Sequence, residues 1–114
     1  MIPSGVEIYV ALEPVDMRLS FDRLAGLAKE QSGYEARCGA LFIFFGKRRD
    51  SLKVLFFDGS GMAIFYKRLD RGVFKLPEAP SKATRHVEID DAALEALLDG
   101  IDVDTTRAAR PKVH

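Results

Sequence analysis

The sequence predicts an α+β fold: an antiparallel meander sheet of about five to six strands, with one helix in the N-terminal half and one helix near the C-terminus. Two observations carry this prediction. Short apolar runs alternate with turn signals through the middle of the chain, and stretches with helical periodicity lie on either side of them. A chain of 114 residues, 47% of them hydrophobic, has the size of one domain, which we place at residues 1–104.

The N-terminal part predicts a strand followed by a helix. Residues 6–12 are rich in β-formers, and Pro14 ends that strand. A helix is expected over residues 16–31, with Asp16 as its N-cap and Gly33 as its left-handed stop. The residues spaced to form its apolar face are Met17, Phe21, Leu24 and Ala28.

The middle of the chain reads as four further strands of the meander. They are expected at residues 40–45, 52–57, 62–68 and 73–76. The DGSG segment at residues 58–61 is a strong hairpin signal, because glycine accepts the positive φ that tight turns require.

The C-terminal part predicts a short strand, a helix and a tail. Residues 84–89 have strand character, and the helix Asp91–Asp99 follows with Asp90 as its N-cap and Gly100 at its end. Residues 105–114 are polar and basic, and are expected to form a flexible tail.

Pairing the two strands across the DGSG turn fixes which residues share a face. One face should carry Lys53, Leu55 and Phe57 beside Met62, Ile64 and Tyr66. The other should carry Leu52, Val54 and Phe56 beside Ala63, Phe65 and Lys67. Both faces are largely apolar, and two short helices cannot cover both completely, so we expect a homodimer packed through the sheet or through an edge strand.

Charge is segregated along a chain whose formal net charge is zero. Residues 37–75 hold nine Lys or Arg and three Asp, whereas residues 86–104 hold seven acidic residues and no Lys or Arg. Such a separation bears on binding partners more than on the fold, although the two blocks can also simply neutralise each other.

The basic residues are expected to gather at one end of the sheet. In a meander, alternate turns lie at the same end of the sheet, so the turn at residues 46–50 and the turn at residues 69–72 should lie close together. The predicted basic rim consists of Lys47, Arg48, Arg49, Lys53, Lys67, Arg68 and Arg71. Such a rim suits the phosphates of DNA, and it can equally serve to keep a sheet edge from aggregating.

The sequence does not favour catalysis. It contains no phosphate-binding glycine motif and no nucleophile elbow, and its one cysteine, Cys38, excludes an internal disulfide or a cysteine metal cluster. We therefore expect no enzyme activity, no cofactor and no metal. The carboxylates that a two-metal nuclease would have to recruit are Asp16, Asp22, Asp50, Asp58 and Asp70. No apolar run is long enough to span a membrane and no signal peptide is apparent, so a cytoplasmic protein is expected.

Four blocks of sequence resemble a known family. They read MIPSGVEIYVA, DMRLSFDRLAGL, LFIFFGKRRDSLKVLFFDGSGMAIFYKRLDRGVFKLP and LEALLDGID, and together they run over nearly the whole chain. In order and spacing the chain resembles the small accessory protein, called TnpB, of the sixty-six family of bacterial insertion sequences. Members usually carry tryptophans where this chain has Phe56 and Phe57, and a tryptophan-containing segment where it has Val103 and a short basic tail.

The resemblance implies a protein that is encoded beside a DDE transposase and is needed, with a second small accessory protein, for efficient transposition. It implies no catalytic site, since the DDE chemistry belongs to the transposase. Two hypotheses follow for this chain: the basic rim contacts DNA, at the element ends or at the target, or the chain is an adaptor that docks on the transposase or on the second accessory protein. The adaptor hypothesis rests on the apolar sheet and on the acidic residues Asp90, Asp91, Glu95, Asp99, Asp102 and Asp104.

Overall fold

The computed structural model describes residues 6–100, which form one five-stranded sheet with two α-helices. The strands lie in the order β4-β3-β2-β1-β5. The elements, in chain order, are β1 (Ile8–Ala11), α1 (Phe21–Ser32), a 3₁₀ turn (Ala36–Cys38), β2 (Leu41–Phe45), β3 (Ser51–Phe57), β4 (Met62–Arg68), β5 (His86–Ile89) and α2 (Asp91–Asp99). The α+β class and the two helices are confirmed.

The sheet is mixed, so the prediction of a purely antiparallel meander was wrong. β1 and β2 run parallel, with Ile8 opposite Leu41 and Val10 opposite Ile43, whereas the other three pairings are antiparallel. The connection between β1 and β2 contains α1, and a helical crossover of this length returns the chain in the same direction. β5 then adds to the free side of β1, opposite in direction, with Ile8 facing Ile89.

The strand predicted at residues 73–76 does not exist as a strand. Val73 makes a single bridge, and the side chain of Phe74 is buried with its ring centroid 5.8 Å from that of Phe45. The backbone N–H of Phe74 donates to the carbonyl of Arg49 at 2.7 Å, which draws this segment over one face of the sheet. The residues therefore cover the core and do not extend the sheet.

Helix α1 begins at Phe21, five residues after the predicted start, and Asp16 is not its N-cap. The Asp16 carboxylate accepts the backbone N–H of Arg18 at 2.8 Å in a local turn, and Ser20 occupies the N-cap position. Aspartate often bonds to nearby backbone in this way and so competes with helix formation. The helix ends at Gly33 with φ of 84°, as predicted. Phe21 is 44% exposed, so it does not belong to the buried face.

Helix α2 has its predicted boundaries. The Asp90 carboxylate accepts the backbone N–H of Ala93 at 2.8 Å and caps the first turn. The apolar positions Leu94 and Leu97 are buried against one face of the sheet. An acid-capped start with an apolar stripe is a local pattern, and sequence reasoning locates such helices well.

Both faces of the central strands are covered. One core lies under α2 and the segment around Phe74, and it includes Ile8, Val10, Ile43, Phe45, Leu52 and Val54. The second core lies under α1, and it includes Tyr9, Leu24, Ala28, Phe42, Phe44 and Leu55. The expectation of a broadly open apolar face therefore fails for β1, β2 and β3, and large exposed aromatic side chains in the sheet are confined to β4, at Phe65 and Tyr66.

Among residues 6–100, no helix has the length and apolar character needed to cross a membrane. The predicted basic tail, at residues 105–114, and the domain boundary at residue 104 lie outside the described residues.

Candidate nucleic-acid interface

The turn between β2 and β3 and the segment that follows β4 are bonded to each other. The backbone N–H of Leu69 donates to the carbonyl of Asp50 at 2.8 Å, and the N–H of Phe74 donates to the carbonyl of Arg49 at 2.7 Å. The pairing of Ser51 with Arg68 extends the β3–β4 ladder up to this point. Two turns that are separate in the sequence therefore form one continuous surface at the end of the sheet.

Five of the seven predicted basic residues lie on these two turns or at the adjoining end of β4, with exposed side chains. We call them the turn cations: Lys47, Arg48, Arg49, Arg68 and Arg71. Cations spread over two adjoining turns present positive charge over an area that one turn alone would not cover, and arginine adds a planar fork that matches phosphate oxygens.

Arg49 has an unusual backbone conformation. Its φ of 63° makes it the one non-glycine residue with positive φ in the described part of the chain. This conformation costs an L-residue roughly 1–2 kcal/mol, and glycine or asparagine is the usual choice. The conformation is held because the N–H of Arg49 donates to the carbonyl of Gly46 at 3.0 Å while its own carbonyl accepts from Phe74. A cation stands where stability alone would favour glycine.

Lys53 does not belong to the turn surface. Its side chain is 9% exposed, and its ammonium donates to the carbonyl of Leu19 at 2.7 Å. The same ammonium lies 5.0 Å from the ring centroid of Tyr66, in a cation–π contact. The charge of Lys53 thus holds the segment before α1 against the sheet.

Lys67 lies on the opposite face from Lys53 and also has an internal partner. Its ammonium donates to the carbonyl of Leu98 at 2.9 Å, in the last turn of α2. The final carbonyls of a helix lack partners within the helix and carry partial negative charge, so a cation there stabilises the helix end. The structure thus directs Lys53 and Lys67, both predicted for the basic rim, into packing interactions.

One cation near the turn surface was not predicted. The backbone N–H of Val15 donates to the carbonyl of Phe45 at 2.8 Å, which brings the segment before α1 beside the turn at residues 46–50. Arg18 lies in this segment with a side chain that is 91% exposed and bonded to Asp16. The guanidinium of Arg18 lowers the pKa of Asp16 to about 2, and Lys47 contributes to the same shift, so the Asp16 carboxylate offsets part of the charge. No local pattern signals this proximity, because it depends on the parallel β1–β2 pairing.

The carboxylates that a metal-dependent nuclease would need do not gather. Within the described range 6–100, no group of three or more His, Cys, Asp or Glu side chains could hold a metal ion. Asp16 is bonded to Arg18, and Asp58 accepts the backbone N–H groups of Ser60 and Gly61, each at 3.0 Å.

Of the two histidines, His86 lies among the described residues. His86 is half-buried and stands edge-on to the ring of Tyr9, whose pKa is raised mainly by burial. His114 lies outside the described residues.

Fold and surface together define a small α+β protein with a cationic sheet end. The chain belongs to the family described as IS66 Orf2-like proteins, whose model matches residues 6–108. This confirms the resemblance found in the sequence. The family comprises accessory proteins of an insertion sequence and is not known for an enzymatic activity.

Two proteins of Sinorhizobium fredii (strain NBRC 101917 / NGR234) are similar to the chain over most of its length. The protein printed as "Uncharacterized protein y4hO" is 41% identical over 104 residues, which cover 90% of this chain and 88% of that protein. "Uncharacterized protein y4jC" is 34% identical over 107 residues, which cover 94% of this chain and 92% of that protein. No solved structure matches the chain significantly.

Proposed function

We propose that the protein is a non-catalytic accessory of transposition that binds duplex DNA through the turn cations. The observation that carries the proposal is the hydrogen bond from the N–H of Leu69 to the carbonyl of Asp50, which joins the two basic turns into one surface. Without it, two short cationic turns would each be an ordinary solvated turn.

The physical basis is the release of counterions from the DNA. Each phosphate that a Lys or Arg neutralises frees condensed cations into solution, so binding is strong at low salt and weakens steeply as salt rises. Five exposed cations on one surface can reach several phosphates at once. The turn cations lie on turns and at the end of β4 and not on a helix, so we expect contact mainly with the phosphate backbone and little sequence preference.

The DNA in question is the element ends or the target site, and the expected protein partners are the DDE transposase and the second accessory protein. These partners are inferred from the family to which the chain belongs. The contact with DNA comes from the charges on this chain, so the two parts of the proposal are tested separately.

The experiment compares charge reversals at two positions that are distant in sequence. Arg48 lies in the first turn and Arg68 at the end of β4, so Arg48→Glu combined with Arg68→Glu should abolish the electrophoretic shift of a duplex. Arg37→Glu is the matched control, because Arg37 is exposed in the 3₁₀ turn that precedes β2, at the end of β2 opposite to the basic turns.

Circular dichroism and thermal melting establish that all three proteins are folded. A native protein that gives no shift even at low salt would refute the proposal. So would a control variant that loses binding as completely as the double variant does.

The alternative is an adaptor that docks on the transposase or the second accessory protein without touching DNA. Helix α2 favours it, because Asp91, Glu95 and Asp99 recur every four residues and therefore share one side of the helix. Asp90 is occupied as the N-cap, and Asp102 and Asp104 lie outside the described residues. The test is co-purification with the transposase from nuclease-treated cells. Neutralising the three α2 acids should abolish an adaptor contact and leave DNA binding intact.

A further inference from the structure

Within residues 6–100, strand β4 forms one edge of the sheet and is poorly protected against pairing. It is seven residues long and pairs with β3 without interruption from Ser51–Arg68 to Phe57–Met62, so no bulge bends it away. It contains no proline, and its Lys67 is bonded to α2. Proteins usually protect such edges with charge, proline, bulges or short length. The opposite edge, β5, has only four residues and carries Glu88.

Two hydrogen bonds determine which groups of β4 point to the open edge. The N–H of Asp58 donates to the carbonyl of Gly61, and the N–H of Leu69 donates to the carbonyl of Asp50. Hydrogen-bonded and non-bonded pairs alternate along an antiparallel ladder. Counting from Asp58–Gly61 at one end and from Asp50–Leu69 at the other assigns the hydrogen-bonded pairs to the same positions. The residues that bond to β3 are therefore Ala63, Phe65 and Lys67. The residues whose N–H and C=O groups face outward are Met62, Ile64, Tyr66 and Arg68.

The middle of this edge is aromatic and exposed. Phe65 is 47% exposed and Tyr66 is 53% exposed, on opposite faces of the sheet. No residue of β4 is among the buried residues of either core.

We infer that β4 pairs with β4 of a second copy of the chain, antiparallel about a two-fold axis that passes between the two Phe65 residues. In this register Met62 faces Arg68 of the second copy and Ile64 faces its Tyr66. Every pair of outward-facing residues is then a bonded pair, and the outward N–H and C=O groups of both strands are satisfied. Phe65 faces Phe65 of the second copy in a non-bonded pair, where side chains approach most closely.

The sequence of β4 is better suited to pairing with β4 of a second copy than to pairing with an unrelated strand. Its two cations lie at one end, so the two-fold places Arg68 opposite Met62 and Lys67 opposite Ala63, and no like charges meet. A shift of the register by two residues would leave two residues of each strand unpaired. A β4–β4 contact is also closed by its symmetry, whereas a β4–β5 contact would generate an open chain of molecules.

This dimer goes beyond the proposed function and does not depend on it. The two Arg68 residues would be offset by about 20 Å along the strands, since six residues separate positions 62 and 68 at about 3.4 Å each. One set of turn cations would thus lie at each end of the joined sheets. Arg68 would border the contact, opposite Met62 of the second copy, and the other four cations lie on the turns outside β4. DNA binding by one copy does not require the dimer.

Sedimentation at micromolar concentration tests the inference directly. The native protein should sediment as a dimer, and Phe65→Lys should weaken dimerisation about tenfold, because it removes the Phe65–Phe65 pair and also places two like charges opposite each other. The variant should still shift DNA, which separates this test from that of the proposed function. A native monomer would overturn the inference, and so would a dimer that Phe65→Lys leaves unchanged.

Cysteine cross-linking tests the register and does not rely on a charged variant. In a Cys38→Ser background, Phe65→Cys should form an intermolecular disulfide under mild oxidation, because residues directly opposite in a non-bonded pair have the Cα separation that disulfides accept. Ala63→Cys is the matched control. Position 63 lies on the same face, but its counterpart in the second copy is four residues away along the ladder. Cross-linking at 63 that equals or exceeds that at 65 would overturn the register.

Discussion

The backbone N–H of Leu69 lies 2.8 Å from the carbonyl oxygen of Asp50, and this bond joins two turns that are almost twenty residues apart in the chain. The β3–β4 hairpin makes it possible. The ladder runs without a bulge from the DGSG turn to Ser51 and Arg68, so the residues just beyond each strand must meet. A proposed DNA-binding surface follows from hairpin register together with the choice of Lys and Arg at its open end.

Replacing Arg49 with glycine should destabilise the protein less than replacing it with alanine. Glycine accepts the φ of 63° without strain, so Arg49→Gly should be more stable than Arg49→Ala by about 1 kcal/mol. Both variants lack the guanidinium, so both should weaken DNA binding by the same factor. Urea unfolding and fluorescence anisotropy measure the two effects. A glycine variant less stable than the alanine variant would show that Arg49 is not in this conformation.

Lys67 should matter for stability and little for DNA. Lys67→Met removes the bond to the Leu98 carbonyl and should lower the free energy of unfolding by about 1–2 kcal/mol. Arg68→Met, at the next position, is the control, and it should show the reverse pattern, with DNA binding reduced and stability nearly unchanged. A Lys67 variant that keeps its stability and loses DNA binding would show that Lys67 contributes to the DNA-binding surface and not to stability.

Asp58 should give the hairpin an acid-sensitive contribution to stability. Bonds from Ser60 and Gly61 lower its pKa in the folded protein. The contribution is therefore complete above the unfolded pKa, near 3.8, and is lost as the pH falls through the lowered folded value. Asp58→Ala should lower the melting temperature at neutral pH, with a difference that shrinks in strong acid. Asp58→Asn keeps an acceptor oxygen that does not titrate, so a variant with the acid sensitivity of the native protein would contradict this role.

Local signals in the sequence predicted the elements that local interactions determine. The DGSG turn fixed the β3–β4 register, and every cross-strand pair predicted from it is present, from Phe57–Met62 to Leu52–Lys67. The capped helix α2 was placed at its observed boundaries for the same reason. Pairings between distant segments were not predictable in this way, and the parallel β1–β2 pair was missed because no turn signal specifies it.

The sequence predicted that the two basic turns meet, but it did not predict which of the seven basic side chains are exposed there. Chain topology placed the two turns together, but it does not reveal whether a long side chain reaches solvent or a nearby carbonyl. The ammonium of Lys53 donates to the carbonyl of Leu19, and that of Lys67 donates to the carbonyl of Leu98. Phe74 was placed in a strand because apolar runs look alike whether they extend a sheet or cover one. These outcomes depend on tertiary packing, which the sequence pattern alone does not encode.

The most direct test of the central claim is the salt dependence of duplex binding in single and double neutralised variants. We expect the slope of log K against log salt to shrink by about one for Arg48→Gln, by about one for Arg68→Gln and by about two for both together. Arg37→Gln should leave the slope unchanged. This result would mean that both turns contact the same DNA. A slope that responds to Arg48 but is unaffected by Arg68 would contradict the claim that the two bonded turns form one binding surface.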